Sequence, residues 1–212
     1  MIPCLIFFII SVMVIYITFL SLTKTHKNHN KRKLKMEYYI KCLFNIAISV
    51  GFYTCLIYFK QIYKDIHFPS ISNIILYLLL TDTFYYWTHR AIHRIPFLKQ
   101  WFHLTHHEAV HLVPMDIFYI DITENVIYLC IVGFIPLFFI PVNMIDYLII
   151  NMVVIYHASY THYEKKTNFI LPLFIDSNYH KRHHQIGKGN YSVLFPIWDD
   201  YMGTRIKHKK SK

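Results

Sequence analysis

Histidine spacing is the feature that most constrains this chain. Three motifs place histidines three or four positions apart: HRAIH at residues 89–93, HLTHH at residues 103–107 and HKRHH at residues 180–184. Residues at these separations lie on one face of an α-helix, so each motif predicts imidazoles that project together. The motif histidines are His89, His93, His103, His106, His107, His180, His183 and His184. Neutral imidazole is a common transition-metal ligand, so this pattern predicts the lining of a metal site.

Two further histidines, His157 and His162, follow a long apolar segment that we expect to return the chain to the same side. With them the candidate ligands number ten, which exceeds what one ion coordinates, so the sequence predicts two metal ions. Carboxylate-bridged di-iron bundles use two Glu-x-x-His motifs, whereas this chain has one, at 108–111, which favours an all-histidine or nearly all-histidine site. No Cys-x-x-Cys pair occurs, which excludes zinc-ribbon and thioredoxin-like readings.

Long apolar runs predict an integral membrane protein that is all-α, with 55% of residues apolar. Residues 1–22 form a predicted N-terminal anchor, which lacks the basic start and cleavage site of a signal peptide. Residues 23–212 form the rest of the domain, with predicted spans at 40–59, 71–88 and 122–156. Prolines at 136 and 141 cut the last segment, which favours two shorter arms. The fold is therefore a bundle of about four spans, or a span pair plus a hairpin.

The basic residues predict which side of the membrane holds the histidines. The loop at 23–41 carries seven Lys or Arg residues against one acid, which places it in the cytoplasm. Two crossings later the chain returns there, so the segments 89–121 and 157–204 form a predicted cytosolic helical cap, followed by a basic tail at 205–212. Pro96 is expected to divide the first segment into two short helices. The net charge of +10 also raises nucleic acid as a partner, but no RNA-recognition signature accompanies it.

Asp82 is an acid inside a predicted span, where an ionisable residue is costly and is usually paired or functional. It lies seven residues before His89, on the same helix face. Two readings stay open: it accepts a hydrogen bond from a ligand imidazole, or it makes a polar contact between helices.

The segments WTHRAIH, FHLTHH, IYHASYTH and NYHKRHH together resemble the fatty acid hydroxylase and sterol desaturase superfamily of membrane di-iron oxygenases. The segment NYSVLFPIWDDYMGT resembles the sequence that follows the last histidine motif in that family, and the resemblance covers roughly residues 81–204. It implies that the ten histidines named above are metal ligands. It also matches Trp198 and Asp199 to a Trp-Asp pair of the family, with Asp199 a candidate support for the ligands.

The resemblance implies an iron-dependent oxidoreductase that uses two iron ions, O2 and two electrons to hydroxylate or desaturate a C–H bond of a sterol or fatty acyl lipid. No glycine-rich dinucleotide fingerprint and no Cys-x-x-Cys-His motif is present, so no flavin, nicotinamide or haem site is expected in this chain. The electrons would then come from a separate cytochrome b5-like or ferredoxin-like donor. The expected location is the endoplasmic reticulum or a bacterial inner membrane, with the site on the cytosolic face. The alternative is a membrane metal-binding or metal-transport protein without oxygenase activity.

Overall fold

A computed structural model describes residues 35–58, 68–163 and 173–206. The predicted anchor at 1–22, most of the basic loop at 23–41 and the end of the basic tail lie outside the described residues. The part that is described contains helices and no strand, in agreement with the all-α prediction. The α-helices are α1 (Met36–Tyr58), α2 (Ile71–Arg94), α3 (Pro96–Leu98), α4 (Leu104–His107), α5 (Ile122–Tyr128), α6 (Met144–Thr161), α7 (Ser177–Ile186) and α8 (Ile197–Tyr201).

Helix α1 is, among the described residues, the one helix long and apolar enough to cross a membrane. It corresponds to the predicted span at 40–59. Ile40 and Leu43 are exposed on one side, whereas Asn45 is fully buried on the other. The Asn45 amide donates hydrogen bonds to two backbone carbonyls of the loop before α5, which ties α1 to the histidine-rich part of the chain. The number of spans and the cytosolic position of the cap stay predictions.

Helix α2 carries the first histidine motif at its end. The Ser70 side chain accepts a hydrogen bond from the Asn73 amide and caps the start of the helix. The helix then continues through Arg94, and Ile95 turns extended before Pro96. His89 and His93 therefore lie in the last two turns of the long helix. The expectation of a separate short helix for them was wrong, because nothing before Pro96 interrupts the helix.

Beyond Pro96 the second motif lies in an irregular helix. A π-helical turn at Lys99–His103 joins α3 to α4. A second π-helical turn at Leu129–Phe134 extends α5, and a 3₁₀ turn follows at Ile135–Phe138. The chain then reverses before α6, as expected from the prolines in this region, and Asn143 caps α6 by accepting from the amides of Ile145 and Asp146.

The main core lies where α1, α2 and α6 meet. Tyr77 and Leu78 of α2 pack with Tyr147 and Ile150 of α6 in one buried apolar cluster, which Leu194 joins from the C-terminal segment. The Tyr77 hydroxyl donates to the Gly133 carbonyl at 2.7 Å and so holds the second π turn against α2. This packing brings the C-terminal ends of α2 and α6 to the same region as α4 and α7.

Candidate metal centre

Nine histidine side chains form two adjacent groups. The five-histidine group takes two residues from α2, two from the segment after Pro96 and one from α7. The four-histidine group takes one residue from α4, one that directly follows α6 and two from α7. The five-histidine group comprises His89, His93, His103, His107 and His183, and the four-histidine group comprises His106, His162, His180 and His184. Within each group one ring nitrogen per residue lies within 4.8 Å of all the others.

The HLTHH motif divides between the two groups. His103 and His107, four residues apart, point into the five-histidine group, whereas His106 points into the four-histidine group. In the HKRHH motif His180 and His184 pair in one group and His183 joins the other. Residues four apart differ by only about 40° around a helix, while the residue between them is displaced by about 100° from the later one. The HLTHH and HKRHH motifs therefore each contribute to both groups and hold them side by side.

Backbone and carboxylate acceptors fix the orientation of several rings. His89 Nδ1 lies 2.8 Å from the Tyr191 carbonyl, His183 Nδ1 2.7 Å from the Gly189 carbonyl, and His162 Nδ1 2.8 Å from the Ala158 carbonyl. A carbonyl oxygen only accepts, so each Nδ1 carries the hydrogen and donates it. In a neutral ring the opposite nitrogen, Nε2, then presents a lone pair.

The Nε2 atoms of each group face one another at short range. His89 Nε2 is 3.0 Å from His103 Nε2, and His183 Nε2 is 3.1 Å from His107 Nε2. In the four-histidine group His180 Nε2 lies 3.2 Å from His162 Nε2 and 3.1 Å from His184 Nε2. Lone pairs that converge at this distance repel unless a cation lies among them. Nitrogen ligands about 2.1 Å from a metal and at right angles to each other are about 3 Å apart, so the donor set fits a metal ion in each group.

Burial keeps these imidazoles neutral. It lowers the pKa of His107 and of His162 to about 4. The pKa values of the other seven are also lowered, first by burial and then by the neighbouring imidazoles: His89, His93, His103, His106, His180, His183 and His184. A histidine must be neutral to bind a metal, so the groups are in the ligating form at neutral pH.

His157 belongs to neither group. It is buried on α6, five residues before His162, and its ring packs against Phe174 with centroids 5.0 Å apart. Its Nε2 atom has no hydrogen-bond partner among the described residues. Its role as a ligand stays a prediction.

The two predicted supporting acids bind backbone rather than imidazole. Asp82 accepts from the amides of Val193, Leu194 and Phe195 at 2.8 to 3.3 Å. Asp199 accepts from the Tyr191 amide at 3.0 Å, and the carbonyl of Tyr191 accepts in turn from His89. Both acids thus shape the segment after α7 that orients His89 and His183.

Sequence reasoning missed Glu124. It is buried on α5, and its Oε1 accepts a hydrogen bond from His103 Nδ1 at 2.5 Å. A carboxylate that holds the far nitrogen of a ligand imidazole fixes its tautomer and orientation. The available signal was an acid within the predicted span at 122–156, the same signal that singled out Asp82.

Two openings with no lining residue in common adjoin the histidines. A cavity of about 190 Å³ adjoins the four-histidine group and is lined mainly by apolar side chains, with His106, His162 and Glu124 among its polar ones. A separate surface cleft adjoins the five-histidine group at His93 and has two cations in its wall, Arg94 and Lys188. One opening suits an apolar chain, and the other is positively charged.

Comparisons with known proteins agree with this geometry. The family model described as "Fatty acid hydroxylase" matches residues 74–204, the part that contains both groups. A methylsterol monooxygenase of Aspergillus fumigatus is 29% identical over 66% of this chain and 50% of its own length. A C-4 methylsterol oxidase of Schizosaccharomyces pombe is 26% identical over 70% of this chain and 53% of its own length. A very-long-chain aldehyde decarbonylase of Oryza sativa subsp. indica is 25% identical over 90% of this chain and 74% of its own length.

The chain spans about half the length of the two fungal sterol enzymes it matches. No solved structure matches the chain significantly.

Proposed function

The chain belongs to the fatty acid hydroxylase family, and on that premise we propose that it is a membrane-bound oxygenase that oxidises a C–H bond of a lipid. The two histidine groups would hold one iron ion each. When bound, the irons would supply the oxidising chemistry, in which O2 and two electrons give a hydroxylated or desaturated lipid. The observation that carries the proposal is the convergence of Nε2 atoms, about 3 Å apart, in two adjacent groups.

The protein's own part in this reaction is positioning. The Tyr191 and Gly189 carbonyls orient His89 and His183, and Glu124 orients His103, so the ligand nitrogens are set before a metal arrives. Rigid positioning of this kind is what a metal site needs from its surroundings. The apolar cavity beside the four-histidine group would hold the lipid chain and exclude water from the reacting carbon.

Lipid is the proposed substrate class, and a bilayer is the proposed surroundings. The relatives are named for methylsterols and very-long-chain aldehydes, which are apolar molecules with one small polar group. The exposed apolar side of α1 is suited to contact with lipid tails. A separate electron donor completes the proposal, and the cations Arg94 and Lys188 beside His93 are suited to an acidic one.

Metal content and lipid products test the proposal together. The full chain, purified from membranes with added iron, is expected to hold about one iron per histidine group. His106→Ala and His183→Ala each remove a ligand from one group and are expected to lower the iron content and to abolish turnover. His111→Ala is the matched control, because His111 is exposed and belongs to neither group.

Turnover is followed by mass spectrometry of a lipid extract incubated with O2 and a reduced donor. A gain of one oxygen, or a loss of two hydrogens, names both the reaction and the lipid. An iron-loaded, folded protein that consumed no O2 with any reduced donor and lipid extract would rule out the oxygenase. Metal uptake into proteoliposomes would instead support a transporter.

A further inference from the structure

Only one oxygen of the Glu124 carboxyl is hydrogen-bonded to a histidine of the metal centre. Its Oε1 atom accepts from His103 Nδ1, whereas Oε2 is buried and has no hydrogen-bond partner among the described residues. The residue as a whole is 1% exposed. Buried polar atoms are nearly always hydrogen-bonded, so an unpaired carboxyl oxygen at this depth indicates a partner that is not part of the protein.

The position of Glu124 shows where that partner would lie. Glu124 lines the cavity beside the four-histidine group, whereas His103, the partner of Oε1, does not. Oε1 is taken by His103, so Oε2 is the oxygen of this cavity-lining carboxyl that has no partner among the described residues. The Tyr128 hydroxyl, one helical turn away, belongs to a residue of the same wall, and the Tyr128 ring stacks on Tyr85 with centroids 4.9 Å apart.

Three other polar groups of this wall already have partners within the protein. The Asn125 amide donates to Asn45, the Ser49 hydroxyl donates to the Asn45 carbonyl, and the Asn151 amide donates to the Tyr147 carbonyl. Glu124 and Tyr128 thus form a separate polar position in a mainly apolar cavity, close to the histidines that would hold one iron.

We propose that Glu124 is a positioning residue for the substrate, hydrogen-bonding through Oε2 to a hydroxyl group of the lipid. A hydroxyl both donates and accepts, so it can satisfy Glu124 and Tyr128 together. The lipid would then be an alcohol whose hydroxyl lies near the carbon presented to the four-histidine group. This inference rests on the proposed function and narrows its substrate class from lipids in general to hydroxylated lipids.

Binding selectivity tests this without turnover. The iron-loaded full chain in nanodiscs, without a reductant, is titrated with a long-chain primary alcohol and with the alkane of equal length. The ratio of the two dissociation constants is compared between variants, so that partitioning into the bilayer cancels. Glu124→Leu is expected to reduce the preference for the alcohol at least about tenfold, because an apolar side chain cannot replace the hydrogen bond.

Glu124→Gln is expected to keep most of the preference, since its amide retains an acceptor for His103 and a polar group for the alcohol. Glu37→Gln, an exposed residue at the start of α1, is the matched control and should leave the ratio unchanged. An equal ratio in the wild type and Glu124→Leu would overturn the inference and leave a bound water as the partner of Oε2.

A second readout covers the case in which Glu124→Leu loses His103, and with it iron or the fold. The infrared carboxyl band that Glu124→Gln removes from the wild-type spectrum should shift when the alcohol is added and stay in place with the alkane. A band that does not move with the alcohol contradicts the inference. A protein that oxidises lipids yet shows neither effect refutes only this inference, whereas a protein without iron or turnover refutes the proposed function.

Discussion

At the level of single residues, His157 can be tested for two roles, that of a buried neutral side chain and that of a metal ligand. Burial lowers its pKa from 6.5 to about 4. Above pH 6.5 the ring is neutral in both the folded and the unfolded state, but between pH 6.5 and 4 the unfolded chain binds a proton that the folded chain does not. Stability is therefore lost as pH falls through this window, by ~3 kcal/mol for this residue.

Replacing His157 by Asn removes this titration. Between pH 7 and pH 4 we expect the free energy of unfolding of His157→Asn to fall by ~3 kcal/mol less than that of the wild type. The measurement is chemical unfolding at a series of pH values. Iron content is measured in the same samples. An unchanged iron content fits a buried residue outside the two groups, whereas loss of iron would establish His157 as the ligand that the sequence predicted.

The residues that the sequence identified best are those with a local signal. Helical spacing alone singled out eight of the nine histidines that the structure brings together, because helical periodicity is local and the motifs are short. The ninth, His162, was named from its place after the long apolar segment. Asp82 was noticed because an acid in an apolar segment is conspicuous, but its backbone partners lie more than a hundred residues away and could not be inferred. Gly189 shows the same limit: its φ of +75° and its approach to the Thr204 carbonyl depend on the tertiary fold.

At the level of elements, the exposed side of α1 offers a direct test of the membrane prediction. Ala47 lies near the middle of the helix and is exposed. If this side faced water, a lysine there would have almost no effect on stability, whereas at the centre of a bilayer it costs ~2.5–3.5 kcal/mol. Ala47→Lys is therefore expected to lower the yield of folded protein in membranes and its thermal unfolding temperature in nanodiscs.

Ala47→Leu serves as the control, since it enlarges the same exposed position without a charge. It is expected to leave yield and unfolding temperature near the wild-type values. If Ala47→Lys behaved like Ala47→Leu, the exposed side of α1 would face water or another protein, and the span at this position would be wrong.

The helices themselves differ in how far the sequence predicted them. The segments that became α1 and α2 were recognisable from length, apolar content and Pro96. The π-helical turns at Lys99–His103 and Leu129–Phe134 were not, because an extra residue in a helix leaves no signature in hydrophobic spacing. The first of these turns ends at His103, and the second contains Gly133, whose carbonyl accepts from Tyr77. Both irregularities therefore lie at positions fixed by contacts across the fold.

At the scale of the whole molecule, the two openings separate the expected reactants. The apolar cavity adjoins the four-histidine group, and the basic cleft adjoins the five-histidine group. A protein donor could then approach while the lipid stays in place. The sequence shows a net charge of +10 but not that two of the cations, Arg94 and Lys188, border one histidine group only, because that depends on how α2 and α7 meet.

If an acidic donor docks at this cleft, the rate of reduction should depend on charge. Exposed charges are screened beyond about 10 Å at 0.1 M salt, so electrostatic attraction speeds association most at low ionic strength. We expect Lys188→Glu to slow reduction by an acidic donor, such as a cytochrome b5, several-fold at low salt. The difference from the wild type should shrink as salt is added, while alcohol binding in the cavity stays unchanged.

Lys35→Glu makes the same change of charge at an exposed residue before α1, outside the cleft, and is the matched control in stopped-flow reduction measured at several salt concentrations. Equal slowing by both variants would indicate attraction by the net charge of +10 rather than by the cleft. No slowing by Lys188→Glu at low salt would contradict docking at this cleft. Because neither residue belongs to the histidine groups or lines the apolar cavity, a change confined to the reduction rate would assign the cleft to electron entry.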